Sequence, residues 1–308
     1  MLQKNIKPFE YMIFPTAQKY WIEGKGLLLW LGLFFVEFGA SLFLVASFFN
    51  CLWGQIAGWI ATAVLGGGPH FLFLGHPFRI LRAFKRPQNS WISRGLILIS
   101  LFQLFGCIYL VLSFFDTVNL WILILADILA AATIAYGGYE IADVKSIRTW
   151  NSSLMPIQMF ARSFCMAFAV MLAIYMLMGV ETIDHGYHVR KWLDIVLLVN
   201  VGLFLSYLGS LGFDEGKQRH AFQMIVRGDL KGLFWSLAVL GGIIIPFSLV
   251  LFSYTVGLPT AAGILYLVAV ILQFVADALL RYCSMRSGYY LGLSPSRPLE
   301  FPKASSQI

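Results

Sequence analysis

Two acidic residues interrupt long apolar stretches of the sequence, and they are the first candidates for chemistry. Glu37 lies 12 residues after Lys25, and Asp127 lies 13 residues before Glu140. On helices that rise 1.5 Å per residue, both carboxyls would lie about 18–20 Å from the same side of a membrane. A charge at the bilayer centre costs at least about 2.5–3.5 kcal/mol, so such residues usually have a partner or a task. We expect Glu37 and Asp127 to face each other, as part of a proton path or as a neutral hydrogen-bonded pair.

Three further residues that could bond a polar ligand are predicted to share one end of the same helices. Lys25 begins the first helix, His76 ends the second, and Tyr136 lies near the end of the fourth. Each can donate a hydrogen bond to a carbonyl oxygen, and a tyrosine or histidine can also transfer a proton. The simpler interpretations are an interfacial tyrosine, a helix-capping histidine and a lysine that only sets the topology.

The elements that position these residues are predicted to be membrane-spanning helices. Of the 308 residues, 59% are hydrophobic and 12% are charged, whereas a soluble domain averages about 25% charged residues. This composition excludes a soluble enzyme, a nucleic-acid-binding module and a disordered chain. Apolar stretches of roughly 20 residues, the length that crosses a bilayer, cover about residues 26–49, 53–75, 92–115, 119–142, 155–180, 192–213, 232–254 and 260–284. The first stretch is too long for a signal-peptide core, so we expect no cleavable leader.

The basic residues divide unevenly between the two sides that eight spans define. Both termini and the even-numbered connections would share one side, which carries 20 of the 22 Lys and Arg residues and is called the basic face below. Arg190 and Lys191 fall on the opposite side. The positive-inside rule favours a cytoplasmic basic face, although such a face can equally dock an acidic protein. We predict Arg79, Arg82 and Arg94 as docking residues.

The sequence offers little for a metal centre. The four cysteines are single residues in or beside different spans, whereas an iron–sulfur cluster needs grouped cysteines. Of the five histidines, only His70 falls well inside a span, so a haem held between two histidines is not expected. We expect neither a haem nor an iron–sulfur cluster in this chain.

Two spacings predict local packing. Asp277 and Arg281 are four residues apart near the end of the last span, which favours an ion pair within one helix. Gly54 and Gly58 form a G-x-x-x-G pattern, which is typical of closely packed membrane helices. The glycines and proline at residues 66–69 could break the second span.

Several motifs follow one another in the order of a known membrane family. They are Pro15 to Trp21, Gly75-His76-Pro77-Phe78-Arg79, Ser90-Trp91-Ile92-Ser93-Arg94-Gly95, Tyr136-Gly137-Gly138, Trp150-Asn151-Ser152, Leu154-Met155-Pro156, Arg227-Gly228 and Leu280-Arg281-Tyr282. Together they resemble NrfD-type proteins, the polysulfide-reductase-like membrane subunits of complex iron–sulfur molybdoenzymes. The resemblance extends along most of the chain.

The resemblance implies a fold and a ligand. The fold is an all-α integral membrane protein with eight transmembrane helices in two four-helix bundles, over residues 26–142 and 155–284, with a tail at 285–308. The first bundle would bind a quinone, menaquinone being expected. The family's ring-contacting tyrosine matches Tyr136, and we place His76 and Lys25 in the same pocket. The sequence departs from the family at Lys25 and Leu28, where an Asn and a His are expected.

The resemblance also implies partners and a setting. They are a peripheral four-cluster iron–sulfur subunit and a molybdenum or tungsten catalytic subunit, in the inner membrane of a prokaryote. The chain would oxidise quinol or reduce quinone within anaerobic respiration, with no turnover of the terminal substrate by itself. A proton-coupled secondary transporter is the alternative, with Glu37 and Asp127 as its coupling carboxylates.

Overall fold

The computed structural model describes residues 16–18, 21–74, 82, 84, 87–178, 183–213, 217–253 and 259–290. Nine helices run through these residues: α1 Gly26–Phe48, α2 Leu52–Phe73, α3 Trp91–Phe114, α4 Leu120–Ala142, α5 Leu154–Leu177, α6 Ile183–Phe213, α7 Lys217–Val226, α8 Leu233–Ile244 continued by Ile245–Ser253, and α9 Pro259–Arg286. Two short strands, β1 Thr16–Ala17 and β2 Tyr289–Tyr290, flank them. His76 and Arg79 lie outside the described residues.

Most of these helices have the length and composition of membrane spans. Within the described residues, seven helices are long and apolar enough to cross a bilayer, namely α1 to α6 and α9. The remaining predicted span corresponds to α8, whose apolar part Leu233–Leu249 is shorter. The predicted class, an all-α multi-pass membrane protein, is confirmed. Short α7 was not predicted, because its mixed polar composition carries no membrane signal.

The two ends of the helical region meet on one side of the molecule. β1 pairs antiparallel with β2, Thr16 opposite Tyr290 and Ala17 opposite Tyr289, and the Gln18 amide donates to the Gly288 carbonyl at 2.9 Å. These strands lie directly before α1 and directly after α9. This arrangement agrees with an even number of crossings, in which α8 would be the eighth.

α1 is the central helix of the fold. Its apolar window is the most buried of the seven spans, and it packs against α2, α4 and α5. One buried cluster joins α1 to α5, α6 and α9, and another joins it to α3 and α4. The first helix therefore contacts both halves of the chain.

α1 and α2 approach so closely that their backbones touch. A side chain on Gly58 would collide with the backbone of Phe43, and one on Gly39 would meet the Gly58 carbonyl. The predicted close packing at the G-x-x-x-G pattern is confirmed. The predicted break at residues 66–69 is wrong, because α2 continues to Phe73 through a π-helical segment, Ala61–Gly66.

Candidate functional site

An ion pair between the first and last helices lies at the centre of the site. Arg281 donates through both terminal nitrogens to the Glu37 carboxylate, at 2.8 Å and 3.0 Å. The exposed fractions of the two residues are 4% and 2%, so each charge is neutralised away from solvent. Glu37 lies on Gly137 of α4, where an added Cβ would collide with the carboxylate oxygen. The pair therefore joins α1, α4 and α9 at one point.

This pairing contradicts the prediction of an ion pair between Asp277 and Arg281. Arg281 points across to α1, where Glu37 offers two oxygens to its planar guanidinium. Asp277 instead accepts a hydrogen bond from Gln273 at 3.1 Å. The spacing of four residues correctly places Asp277 and Arg281 on one face of α9. Arg281 nevertheless donates its hydrogen bonds to Glu37, which belongs to another helix.

Glu37 and Asp127 do not face each other, which corrects a second prediction. Glu37 lies at Gly137 of α4, whereas the carboxyl of Asp127 lies beside Ser47 of α1. α1 and α4 run antiparallel, and ten residues separate the two contacts on each helix, or about 15 Å along the axis. The expected common depth was wrong because the end of α4 is level with about residue 32 of α1 and not with its beginning.

Tyr136 is buried next to a second acid that sequence reasoning used only to mark a helix end. The Tyr136 ring covers Gly95 of α3, and its hydroxyl lies against the carboxyl of Glu140, one turn further along α4. Glu140 is itself buried, and its Oε2 atom has no hydrogen-bond partner among the described residues. Glu37 and Arg281 lie within electrostatic range of Glu140. Glu140 could have been identified from the sequence, because it follows the candidate tyrosine by four residues and therefore lies one helical turn away.

The other predicted ligand residues are placed differently from Tyr136. Lys25 is exposed immediately before α1, and His76 lies outside the described residues. Of the predicted docking residues, Arg82 is exposed, whereas Arg94 donates to the carbonyls of Pro87 and Gln88, both at 2.7 Å. Arg94 therefore fixes the connection that leads into α3.

A second buried arginine lies in the other half of the molecule. Arg162 of α5 was assigned to the basic face, but it is buried and stacks over the Phe204 ring at 5.1 Å. Asp277 is an acid with which it interacts electrostatically. A cavity of about 10 Å³ separates this pair from Glu37 and Arg281, which is room for about one water molecule.

The described residues contain no group of three or more His, Cys, Asp or Glu side chains that could hold a metal ion. The four cysteines carry free thiols. Tyr136 and Glu140 provide a phenol and a carboxyl, which can bond a polar ligand and exchange protons with it.

Comparison with protein families gives a match over most of the chain. The family model described as "Polysulphide reductase, NrfD" matches residues 25–291, which include every membrane-spanning helix described above. No curated protein matches the chain.

Proposed function

Because the chain belongs to the polysulphide reductase NrfD family, whose members are membrane subunits of oxidoreductase complexes, we propose that it binds a quinone in the membrane. In this proposal it exchanges electrons between the quinone, of the menaquinone type, and a peripheral iron–sulfur subunit. That subunit connects it to a molybdenum or tungsten catalytic subunit, in the inner membrane of a prokaryote. The terminal substrate is transformed by the catalytic subunit and not by this chain.

The contact between Tyr136 and Glu140 is the observation that carries the proposal. A quinone takes up two electrons and two protons when it is reduced, so its site needs groups that bond the ring oxygens and exchange protons. A phenol and a carboxyl one turn apart on α4 provide such groups. The free Oε2 atom of Glu140 fits this use, since buried polar atoms in proteins are otherwise paired.

The location of the site suits electron transfer to a partner at the basic face. Glu140 lies two residues before α4 ends, and the connection from α4 to α5 lies on the same side as β1 and β2. Gly288 contacts Ile147 and Trp150 of that connection. A subunit docked there, with Arg79 and Arg82 among its contacts, would lie close to Tyr136. In this proposal Lys25, which immediately precedes α1, and His76 complete the pocket.

Each residue has a distinct role in the proposed chemistry. Tyr136 bonds one ring oxygen, and Glu140 receives the proton released there when quinol is oxidised. Arg281 holds the Glu37 carboxyl in position, within electrostatic range of the proton acceptor Glu140. Asp127 lies about 15 Å from Glu37 by helix rise. In this proposal it is a separate proton-carrying group on a path to the opposite face.

The test uses two tyrosines on one helix. In the intact complex, Tyr136→Phe and Glu140→Gln are each expected to lower kcat/KM for 2,3-dimethyl-1,4-naphthoquinol at least about tenfold, as loss of a proton-transfer group does. Tyr139→Phe is the matched control, because Tyr139 is exposed and stacks on Trp91 at 5.1 Å. Its activity should stay within about twofold of the wild type. Normal quinol oxidation by Tyr136→Phe would remove Tyr136 from the site.

A further inference from the structure

Residues at every fourth position of α2 face α1, and the last of them is a histidine. The set consists of Gly54, Gly58, Thr62, Gly66 and His70. Their contacts on α1 are, in the same order, Ala46, Phe43, Gly39, Val36 and Gly32. The first four residues are small and let the helices touch, whereas His70 brings an imidazole into the contact.

A regular α-helix would not keep these five residues on one side. At 3.6 residues per turn, each step of four residues overshoots by about 40°, so the five positions would spread over about 160°. The π-helical segment Ala61–Gly66 lies in the middle of the set. Such a segment accommodates one extra residue per turn, which absorbs about 100° of the rotation. The segment therefore keeps His70 turned toward α1.

The hydrogen bonding of His70 defines what its ring can offer a ligand. Nδ1 lies 2.9 Å from the Gly66 carbonyl oxygen, and a carbonyl can only accept, so Nδ1 carries the hydrogen. In the neutral ring, Nε2 is then an acceptor. Nε2 makes no hydrogen bond within the described part of the chain, and the side chain is half-buried. The ring lies over Gly32, where an added Cβ would collide with it.

His70 and Tyr136 approach one segment of α1 from two helices. Glu37 meets Gly137 and α1 runs antiparallel to α4, so Tyr136 is level with about residue 38, whereas His70 meets Gly32, about 9 Å nearer the basic face. Trp30 and Leu33, which are close to Gly32 in the sequence, belong to the same buried cluster as Tyr136. His70 lies three residues before α2 ends, on the side where the proposed partner docks. The Arg281 guanidinium is within electrostatic range of both the imidazole and Glu140. α2 and α4 thus direct two hydrogen-bonding side chains toward one segment of the first helix.

We infer that Nε2 of His70 accepts a hydrogen bond from one hydroxyl of a bound naphthoquinol, and that this bond makes the site prefer quinol over quinone. The inference rests on the proposed function. A quinol hydroxyl can donate to Nε2, whereas a quinone oxygen can only accept and finds no hydrogen there. His70 is thus a binding residue that sets the preferred redox state of the ligand.

The first experiment measures the two redox states of one probe in the intact complex. KM is determined for 2,3-dimethyl-1,4-naphthoquinol, and the inhibition constant for the corresponding naphthoquinone. His70→Leu is expected to raise KM about three- to tenfold, the range that one hydrogen bond accounts for, with less than a twofold change for the quinone. His70→Asn keeps a donor and an acceptor and should recover part of the loss. An equal loss for both redox states in His70→Leu would overturn the inference.

A pair of glycine variants tests the position of the ring without changing its chemistry. Gly32→Ala places a Cβ in the imidazole position and should raise the quinol KM as His70→Leu does. Gly68→Ala is the matched control, since nothing lies within 4 Å of its added Cβ, and should behave as the wild type. Gly32→Ala with a wild-type KM would also overturn the inference, and it serves this purpose if His70→Leu fails to assemble.

Measurements on the wild-type complex distinguish a failure of this inference from a failure of the proposed function. If the wild-type complex neither oxidises nor binds the naphthoquinol, the proposed function fails. If it does, and the ratio of quinol to quinone affinity is the same in all His70 variants, only the role of His70 is rejected.

Discussion

Two buried arginines interact with acids of other helices. Arg281 reaches Glu37 over a separation of 244 residues, and Arg162 of α5 interacts electrostatically with Asp277 of α9. A buried ion pair contributes little net stability, but removing one partner leaves an uncompensated charge. The energetic importance of Glu37 therefore follows from its partner.

Glu37→Gln is expected to destabilise the protein by about 3–5 kcal/mol, because it leaves Arg281 charged in an apolar environment. The double variant Glu37→Gln with Arg281→Gln should lose less than the two single variants together. Denaturant titration in detergent measures the free energies of unfolding. Glu23→Gln is the control, since its pair with Arg286 at 3.1 Å is partly exposed and should have little effect. Additive losses in the double variant would contradict the coupling.

At this scale the sequence predicted residue types better than partners. Tyr136 could be singled out because a tyrosine near a helix end is visible in the sequence, and Glu37 because an acid in an apolar span is costly. The ion pair between Glu37 and Arg281 could not be predicted, since residue spacing carries no information about contacts between the first and last helices. Arg162 was wrongly assigned to the basic face because it lies near a predicted helix end. Only the packing of the folded protein shows that its side chain is buried.

At the scale of the helices, hydropathy predicted most spans closely. The boundaries of α1, α3, α4 and α5 fall within a few residues of the predicted ones, because burial of roughly 20 apolar residues determines them. The π-helical segments in α2 and α8 were not predicted. Their composition is as apolar as that of an α-helix, and the extra residue shows only in the four-residue spacing of the contacts.

The extra residue of the π-helical segment in α2 leads to a prediction about insertions and deletions in that helix. Deleting Val64, a 60%-exposed residue of the π-helical segment, should restore a regular α-helix and leave His70 facing α1. Inserting an alanine after Val64 should instead turn the rest of α2 by about 100°. The quinol KM should change little for the deletion and rise strongly for the insertion. A deletion as damaging as the insertion would contradict this account of the segment.

At the scale of the whole molecule, the strands that precede α1 and follow α9 pair on one side of the helices. β2 pairs with β1, and Tyr289 contacts the ring of His220 in α7 at 4.8 Å edge to face. Among the described residues, the basic face thus has a layer formed by β1, β2, the connection from α4 to α5, and α7. The sequence predicted this side from its charge, but not the strand pairing, since two-residue strands have no recognisable pattern.

This layer is expected to weaken at acidic pH. Burial lowers the pKa of His220 below its ordinary value of 6.5, so the folded layer binds fewer protons than the opened one. Its contribution to stability is complete above pH 6.5 and declines as the pH falls below that value. Hydrogen exchange of β1, β2 and α7 should therefore quicken between pH 7 and pH 5.5, and less so in His220→Phe. The same pH dependence in that variant would exclude His220.

The ion pair between α1 and α9 also has a consequence for synthesis of the chain. Glu37 leaves the ribosome 244 residues before Arg281, an interval of about 10–50 s at usual rates of translation. During that time the first helix lies in the bilayer with an acid whose partner has not yet been made. Any nascent chain that stops before α9 keeps this unpaired acid. Cellular quality control could use it to distinguish an incomplete subunit from a finished one.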